Sequence, residues 1–147
     1  MFNTVAKLQV PYIMMHMQGT PEHMQANPVY EDVVVEITSF FAKQLAELRQ
    51  LKVNDVIIDV GFGFGKTINH NYELLQNLAL FKSLEVPILT GVSRKSMLYK
   101  LLEISPKEAL NATTVANTIA LLNGTSILRV HDVKEAVEAI KIVNQLQ

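Results

Sequence analysis

Val56-Ile57-Ile58-Asp59-Val60-Gly61-Phe62-Gly63-Phe64-Gly65-Lys66-Thr67 is the stretch on which the reading of the whole chain turns. Three consecutive β-branched apolar residues form a short buried strand, and an acid stands where that strand leaves the core. Three alternate glycines then make a loop, and a helical pattern follows through Tyr72, Leu75, Leu78 and Phe81. The same unit recurs on both sides. Upstream, Pro11-Tyr12-Ile13-Met14-Met15 runs into the loop His16-Met17-Gln18-Gly19-Thr20-Pro21. The helix after it carries Tyr30, Val33, Val34, Ile37, Phe40, Phe41, Leu45 and Leu48, the spacing of one buried stripe. Downstream, Pro87-Ile88-Leu89-Thr90 leads into Gly91-Val92-Ser93-Arg94-Lys95-Ser96 and a short helix.

Ser105-Pro106-Lys107-Glu108 then reads as a capping box with Pro at the first helical position, and Asn123-Gly124 as the C-terminal stop of that helix. A fourth strand, Ser126-Ile127-Leu128-Arg129-Val130, precedes His131. Asp132 and Glu135 supply cap chemistry for the last helix, whose expected stripe is Val133, Val137, Ile140 and Val143. Met1 to Gln9 reads as the end of a preceding helix. Four strand-helix units with nearly continuous apolar strands predict an α/β fold with a parallel sheet buried on both faces. The unusual polar residues all follow a strand directly, so the topology places them on one rim, where ligands of such folds bind.

Composition narrows the classes. The chain has 147 residues, 49% of them hydrophobic and 18% charged, with a formal net charge of −1. That is a folded chain, because disordered ones are polar and strongly charged. The absence of a basic run argues against nucleic acid as a partner, and no apolar stretch reaches the ~18 residues of a membrane span. Without cysteine there is no disulfide framework, thiol catalysis or Cys-ligated zinc. Met1-Phe2-Asn3-Thr4-Val5-Ala6-Lys7 lacks the features of a signal peptide, and a cytoplasmic location is expected. No linker divides the chain, so residues 1–147 are expected to form one unit. This length suits one domain and is also a little over half of a (β/α)8 barrel of about 250 residues.

The glycine loop misses both nucleotide fingerprints, since Val60 stands where a P-loop needs Gly and Lys66 where a dinucleotide loop needs it. Its glycines can take positive φ and let backbone approach a flat ligand. Asp59 is either a loop hydrogen-bonder or a carboxylate that accepts two parallel N–H bonds from an amidine-like heterocycle edge. Ser93 and Lys95 stand at a helix start, an anion site or a solvated cap. Arg129 and His131 project to the same side of an extended segment, as a phosphate clamp or as structural residues. His16 reads as a hydrogen-bonded core residue. The surrounding Met14, Met15, Met17 and Met24 read as core, or as packing around a planar ligand. No set of side chains has metal-ligand spacing.

Met15-His16-Met17-Gln18-Gly19-Thr20-Pro21, Asp59-Val60-Gly61-Phe62-Gly63-Phe64-Gly65-Lys66, Gly91-Val92-Ser93-Arg94-Lys95-Ser96 and Arg129-Val130-His131-Asp132-Val133 occur in order. In these four motifs, over essentially its whole length, the chain resembles the dihydropteroate synthases. The resemblance implies the C-terminal half of a (β/α)8 barrel, strands five to eight. It implies a transferase of folate biosynthesis, a sulfonamide target, that joins 6-hydroxymethyl-7,8-dihydropterin pyrophosphate to p-aminobenzoate. The products are 7,8-dihydropteroate and pyrophosphate.

By the same resemblance, Asp59 binds the 2-amino and N3 edge of the pterin. Lys95 bonds near O4 and N5, and Met15 packs on the ring. Arg129 and His131 hold the pyrophosphate. Ser93 and the following helix start receive the p-aminobenzoate carboxylate, with Phe64 and the Lys95 stem walling its ring. Gly61 and Gly91 complete the substrate-binding set, and Lys95, Arg129 and His131 are the implied catalytic groups. Magnesium is implied as cofactor, its protein ligand being an Asn of the family's first strand, which these residues do not include. A homodimer through late-barrel helices is implied as well. Val60 replaces the family's usual Pro, so a looser loop is expected. The isolated 147 residues are expected to show little or no turnover. Two other readings are a non-catalytic pterin-binding or structural half-barrel and a methyltetrahydrofolate methyltransferase barrel, the latter disfavoured by Ser93-Arg94-Lys95 and Arg129-Val130-His131.

Overall fold

Four short apolar runs become strands: β1 (Tyr12–Met15), β2 (Val56–Asp59), β3 (Ile88–Thr90) and β4 (Ile127–Leu128). They form one parallel sheet in the order β1-β2-β3-β4. The computed structural model describes residues 1–20, 24 and 28–146, so the Pro21 end of the first predicted loop lies outside the described residues. The helices are α1 (Phe2–Leu8), α2 (Val33–Gln50), α3 (Ile68–Gln76), α4 (Ser96–Tyr99), α5 (Leu110–Leu122) and α6 (Val133–Val143). Neighbouring strands are consecutive in sequence, which is barrel order. A doubly wound sheet would reverse direction at a switch point.

Strand alternation sorts the side chains. Met14, Ile58 and Ile88 are buried beneath the helices, in a core with Ile37, Phe41, Leu45 and Leu48 of α2 and Leu74 and Leu75 of α3. The register aligns Met15, Asp59, Leu89 and Ile127 in one row of the opposite face. That face is not sealed: Ile13 is 50% and Ile127 38% exposed. The expectation of strands buried on both sides therefore fails here, because the helices cover only the other side.

Local chemistry explains most element ends. Asp32 caps α2 through Val34 and Val35 N–H groups, and Thr67 caps α3 in a reciprocal box with His70. The Ser105–Glu108 box forms as expected, but it closes a 3₁₀ turn (Pro106–Glu108) and α5 begins only at Leu110. Gly124 follows α5 with φ +94°. The helix expected through Phe81 breaks at Asn77 into a 3₁₀ segment, Leu78–Leu84. Tyr30 precedes α2, and Phe40 lies at the exposed margin of its stripe. In α6 the buried stripe is Ala136, Ala139 and Val143, while Val133 and Val137 face outward. Small residues let α6 lie closely against α5. Asp132 holds the N-cap position of α6 but makes no cap hydrogen bond; both its oxygens are taken by Arg94.

Candidate functional site

Asp59 is the last residue of β2 and is only 2% exposed. Its Oδ1 accepts the Gly61 N–H at 2.8 Å, and its Oδ2 lies 3.6 Å from Nη2 of Arg129. Val60 is fully buried in the helix-side core directly after this strand end. Arg129 follows β4 and reaches Asp59 by crossing β3. The crossing needs a glycine beneath it, because a Cβ at Gly91 would stand 3.0 Å from the Arg129 guanidinium. Met15 pairs with Asp59 in the register and stands beside it on the same face.

Lys95 donates from Nζ to the Phe62 carbonyl and lies 4.2 Å from the Phe64 ring centroid. Its stem rests on Gly63, where a Cβ would meet Lys95 Cδ at 3.2 Å. Burial lowers its pKa to about 8; nearby Asp59 opposes the shift and Arg129 adds to it.

Ser93 and His131 meet across 38 residues of sequence. Ser93 Oγ lies 2.9 Å from His131 Nδ1 and also accepts the His131 backbone N–H at 3.2 Å. When the ring carries a proton on Nδ1, Ser93 accepts twice and its O–H is free for an anion; otherwise that O–H is committed to the ring. The expected helix contribution is small. Here α4 is a single turn that starts after Lys95, three residues beyond Ser93. Phe64, Gly91, Ser93, Lys95, Arg129, Val130 and His131 line one cavity of ≈ 270 Å³. All but Val130 were expected site residues. Asp59 and Met15 sit next to this cavity and do not line it.

The glycine loop differs from its expected use. Gly61, Gly63 and Gly65 do take positive φ, at +71°, +78° and +62°. Two of them, however, are pressed against the backbone of the neighbouring loop. A Cβ at Gly61 would lie 1.9 Å from the His16 carbonyl oxygen, and one at Gly65 would lie 2.3 Å from that of Gln18. Lys66, to which the sequence assigned no role, fastens the two loops. It is 3% exposed, and its Nζ contacts His16 Nδ1 at 3.1 Å and the carbonyls of Gly61 and Phe64 at 3.0 Å each. Three acceptors match the three donors of an ammonium. Burial lowers the Lys66 pKa to about 7, with Asp59 opposing and Lys95 reinforcing. Burial first, then Lys66, drives His16 down to about 4, so His16 is a neutral structural residue as expected. Nothing in local periodicity marks Lys66, because its partners lie on another loop.

A family model described as Pterin binding enzyme matches residues 1–131. The chain belongs to this family. Among pterin-binding relatives, dihydropteroate synthase of Escherichia coli is 44% identical over 140 residues, covering 94% of this chain and 50% of that one. The structure of Yersinia pestis dihydropteroate synthase with a sulfonamide drug complex superposes with TM-score 0.95 at 40% identity, covering 99% of this chain and 54% of the other. Dihydropteroate synthase from Xanthomonas albilineans, in complex with 7,8-dihydropteroate, gives TM-score 0.89 at 33% identity, with 99% and 55% covered. The chain thus spans about half the length of the pterin-binding relatives it matches, and its four units correspond to half of their barrel. No described helix is long and apolar enough to cross a membrane.

Proposed function

We propose that residues 1–147 form one pterin-binding half-barrel that serves a cytoplasmic dihydropteroate synthase. The observation that carries this reading is the meeting of Asp59, Lys95, Arg129 and the Ser93–His131 pair on one rim. A single buried carboxylate among Lys66, Lys95 and Arg129 leaves excess positive charge, which suits anionic substrates. Asp59 takes the two-donor edge of the pterin, as a carboxylate takes a guanidinium fork. Met15 lies under the ring, and Lys95 reaches its O4 and N5 side. Arg129 and His131 hold the pyrophosphate, while Ser93, Phe64 and the Lys95 stem receive p-aminobenzoate. Gly91 serves by seating Arg129, and Gly61 by closing the pterin wall.

The bond between the pterin methylene and the pyrophosphate oxygen breaks, and its electron pair leaves with pyrophosphate. The amine nitrogen of p-aminobenzoate forms the new C–N bond and gives up a proton. Arg129 and His131 stabilise the charge gathering on the leaving oxygen. Magnesium, if it takes part, would be held chiefly by the Asn implied on the family's first strand and by the pyrophosphate, since the described residues offer it no cluster of their own. Among the described residues no three His, Asp or Glu converge, and Asp59 is encircled by cations; no step is assigned to a metal.

The test is pyrophosphate release by protein carrying this chain, supplied with both substrates. Arg129→Ala should cut kcat/KM by about a hundredfold or more. Retained turnover in that variant would contradict the assignment, and pterin binding without turnover in the wild type would favour a binding-only half-barrel. The protein further acts as a homodimer joined through α5. Val115, Ile119 and Leu122 form an exposed apolar stripe that continues into Leu101 and Leu102. Sedimentation should show Ile119→Glu shifting the dimer to monomer.

A further inference from the structure

Arg94 and Asp132 have no part in the functions assigned above, yet they are more tightly engaged than any substrate-facing group on the rim. Arg94 lies between Ser93 and Lys95 with φ +53°, a left-handed conformation uncommon for a side chain of its size. Its backbone N–H donates to Thr113 Oγ1 at 3.0 Å. Its Nε and Nη2 donate to Asp132 Oδ2 at 2.9 Å and Oδ1 at 2.8 Å. Its Nη1 donates to the carbonyls of Pro106 at 2.8 Å and Lys107 at 2.6 Å. Every guanidinium nitrogen is in use, on the β3 loop, the turn before α5 and the β4 loop together. Asp132 is the neighbour of His131, so this fork stands directly behind the Ser93–His131 contact. The bond to Arg94 holds the Asp132 carboxyl below its usual value, which keeps the fork charged.

We propose that the Arg94–Asp132 fork is a clamp that fixes the spacing of Ser93 and His131, making Arg94 a positioning residue for the anion end of the site. Arg94 touches no substrate in this account. A lysine could keep the charge but not the planar fork with its two extra carbonyl bonds. The proposal rests on the reading of that end as an anion site, and the experiment separates the two.

Wild type, Arg94→Lys and Asp132→Asn are compared by calorimetry with inorganic pyrophosphate and, separately, with a dihydropterin. The His131 ring nitrogens are followed by ¹⁵N NMR. In both variants pyrophosphate affinity should fall about tenfold or more, since small misplacements of a binding group are expensive. Pterin affinity should stay within about twofold, because Asp59 lies on another strand and Lys95 is held separately by the Phe62 carbonyl and the Phe64 ring. The His131 Nδ1 shift should move toward that of an unpartnered imidazole. Equal losses for both ligands would make the pair a general structural element and overturn the clamp, as would an unchanged Nδ1 shift in both variants. Should the wild type bind neither ligand, the functional reading fails while the Nδ1 shift still decides the clamp.

Discussion

The β1–β2 loops and the β3–β4 loops are built on opposite principles. The first pair is interlocked where its described residues meet. Lys66 and His16 are buried there, and Gly61 and Gly65 are in backbone contact with the neighbouring loop. The second pair is joined by the half-buried Arg94–Asp132 ion pair and the Ser93–His131 contact, and its chief cation stays accessible: the Arg129 side chain is 56% exposed. A flat heterocycle is recognised by fixed edges, which calls for a prebuilt wall. An anion is recognised by charge, which lets an exposed Arg129 work beside the hydrogen-bonded Ser93–His131 pair.

The same substitution placed in each region gives the largest contrast. Gly61→Ala would put a Cβ 1.9 Å from the His16 carbonyl at φ +71°. Clash and strain together should cost about 3 kcal/mol or more, read as a lowered denaturation midpoint. Gly91→Ala has no positive φ to oppose it and meets only the mobile end of Arg129. It should change stability by less than about 1 kcal/mol while weakening pyrophosphate binding. Equal destabilisation by the two would erase the distinction.

Lys66→Met ranks next. It strands His16 Nδ1 and takes the Lys66 donor from the carbonyls of Phe64 and Gly61, of which Gly61 keeps the Phe64 N–H. Unfolding should lose about 2 kcal/mol of stability, the scale of unsatisfied buried acceptors. Pterin affinity should suffer more than pyrophosphate affinity, because both loops of the pterin wall are released.

The pH dependence sharpens the picture further. His16 titrates at about 4 in the folded protein against 6.5 as a free side chain. Between those values the unfolded state binds the extra proton, so stability rises with pH across that window and is lost as pH falls toward 4. The full effect is on the order of 3 kcal/mol. Lys66 acts the same way at higher pH: lowered to about 7 from 10.5, it adds stability as pH rises from 7. Urea titrations of wild type and His16→Gln should differ in slope only in the lower window.

Much of this was legible in the sequence wherever a signal is local. The Ser105–Glu108 box, the Asn123-Gly124 stop and the apolar strands are all local patterns, and each formed. The rim followed from topology, so Phe64, Gly91, Ser93, Lys95, Arg129 and His131 came together as expected. What stayed hidden was contact between loops. Lys66 meets His16 across 50 residues, and Arg94 meets Asp132 across 38. Neither spacing leaves a periodic trace, and each lysine or arginine alone reads as a surface cation. The α6 stripe was partly misplaced for a related reason, with Val143 alone of the expected four buried. Val133 and Val137 look like the core face, but close approach to α5 selects Ala136 and Ala139.

The central claim is that Asp59 is the pterin ligand of a prebuilt wall. Calorimetric titration of a dihydropterin into wild type and Asp59→Ala tests it most directly. The account predicts a clear binding heat in the wild type and none in the variant, with the variant still folded by circular dichroism. An unchanged heat in folded Asp59→Ala would contradict it.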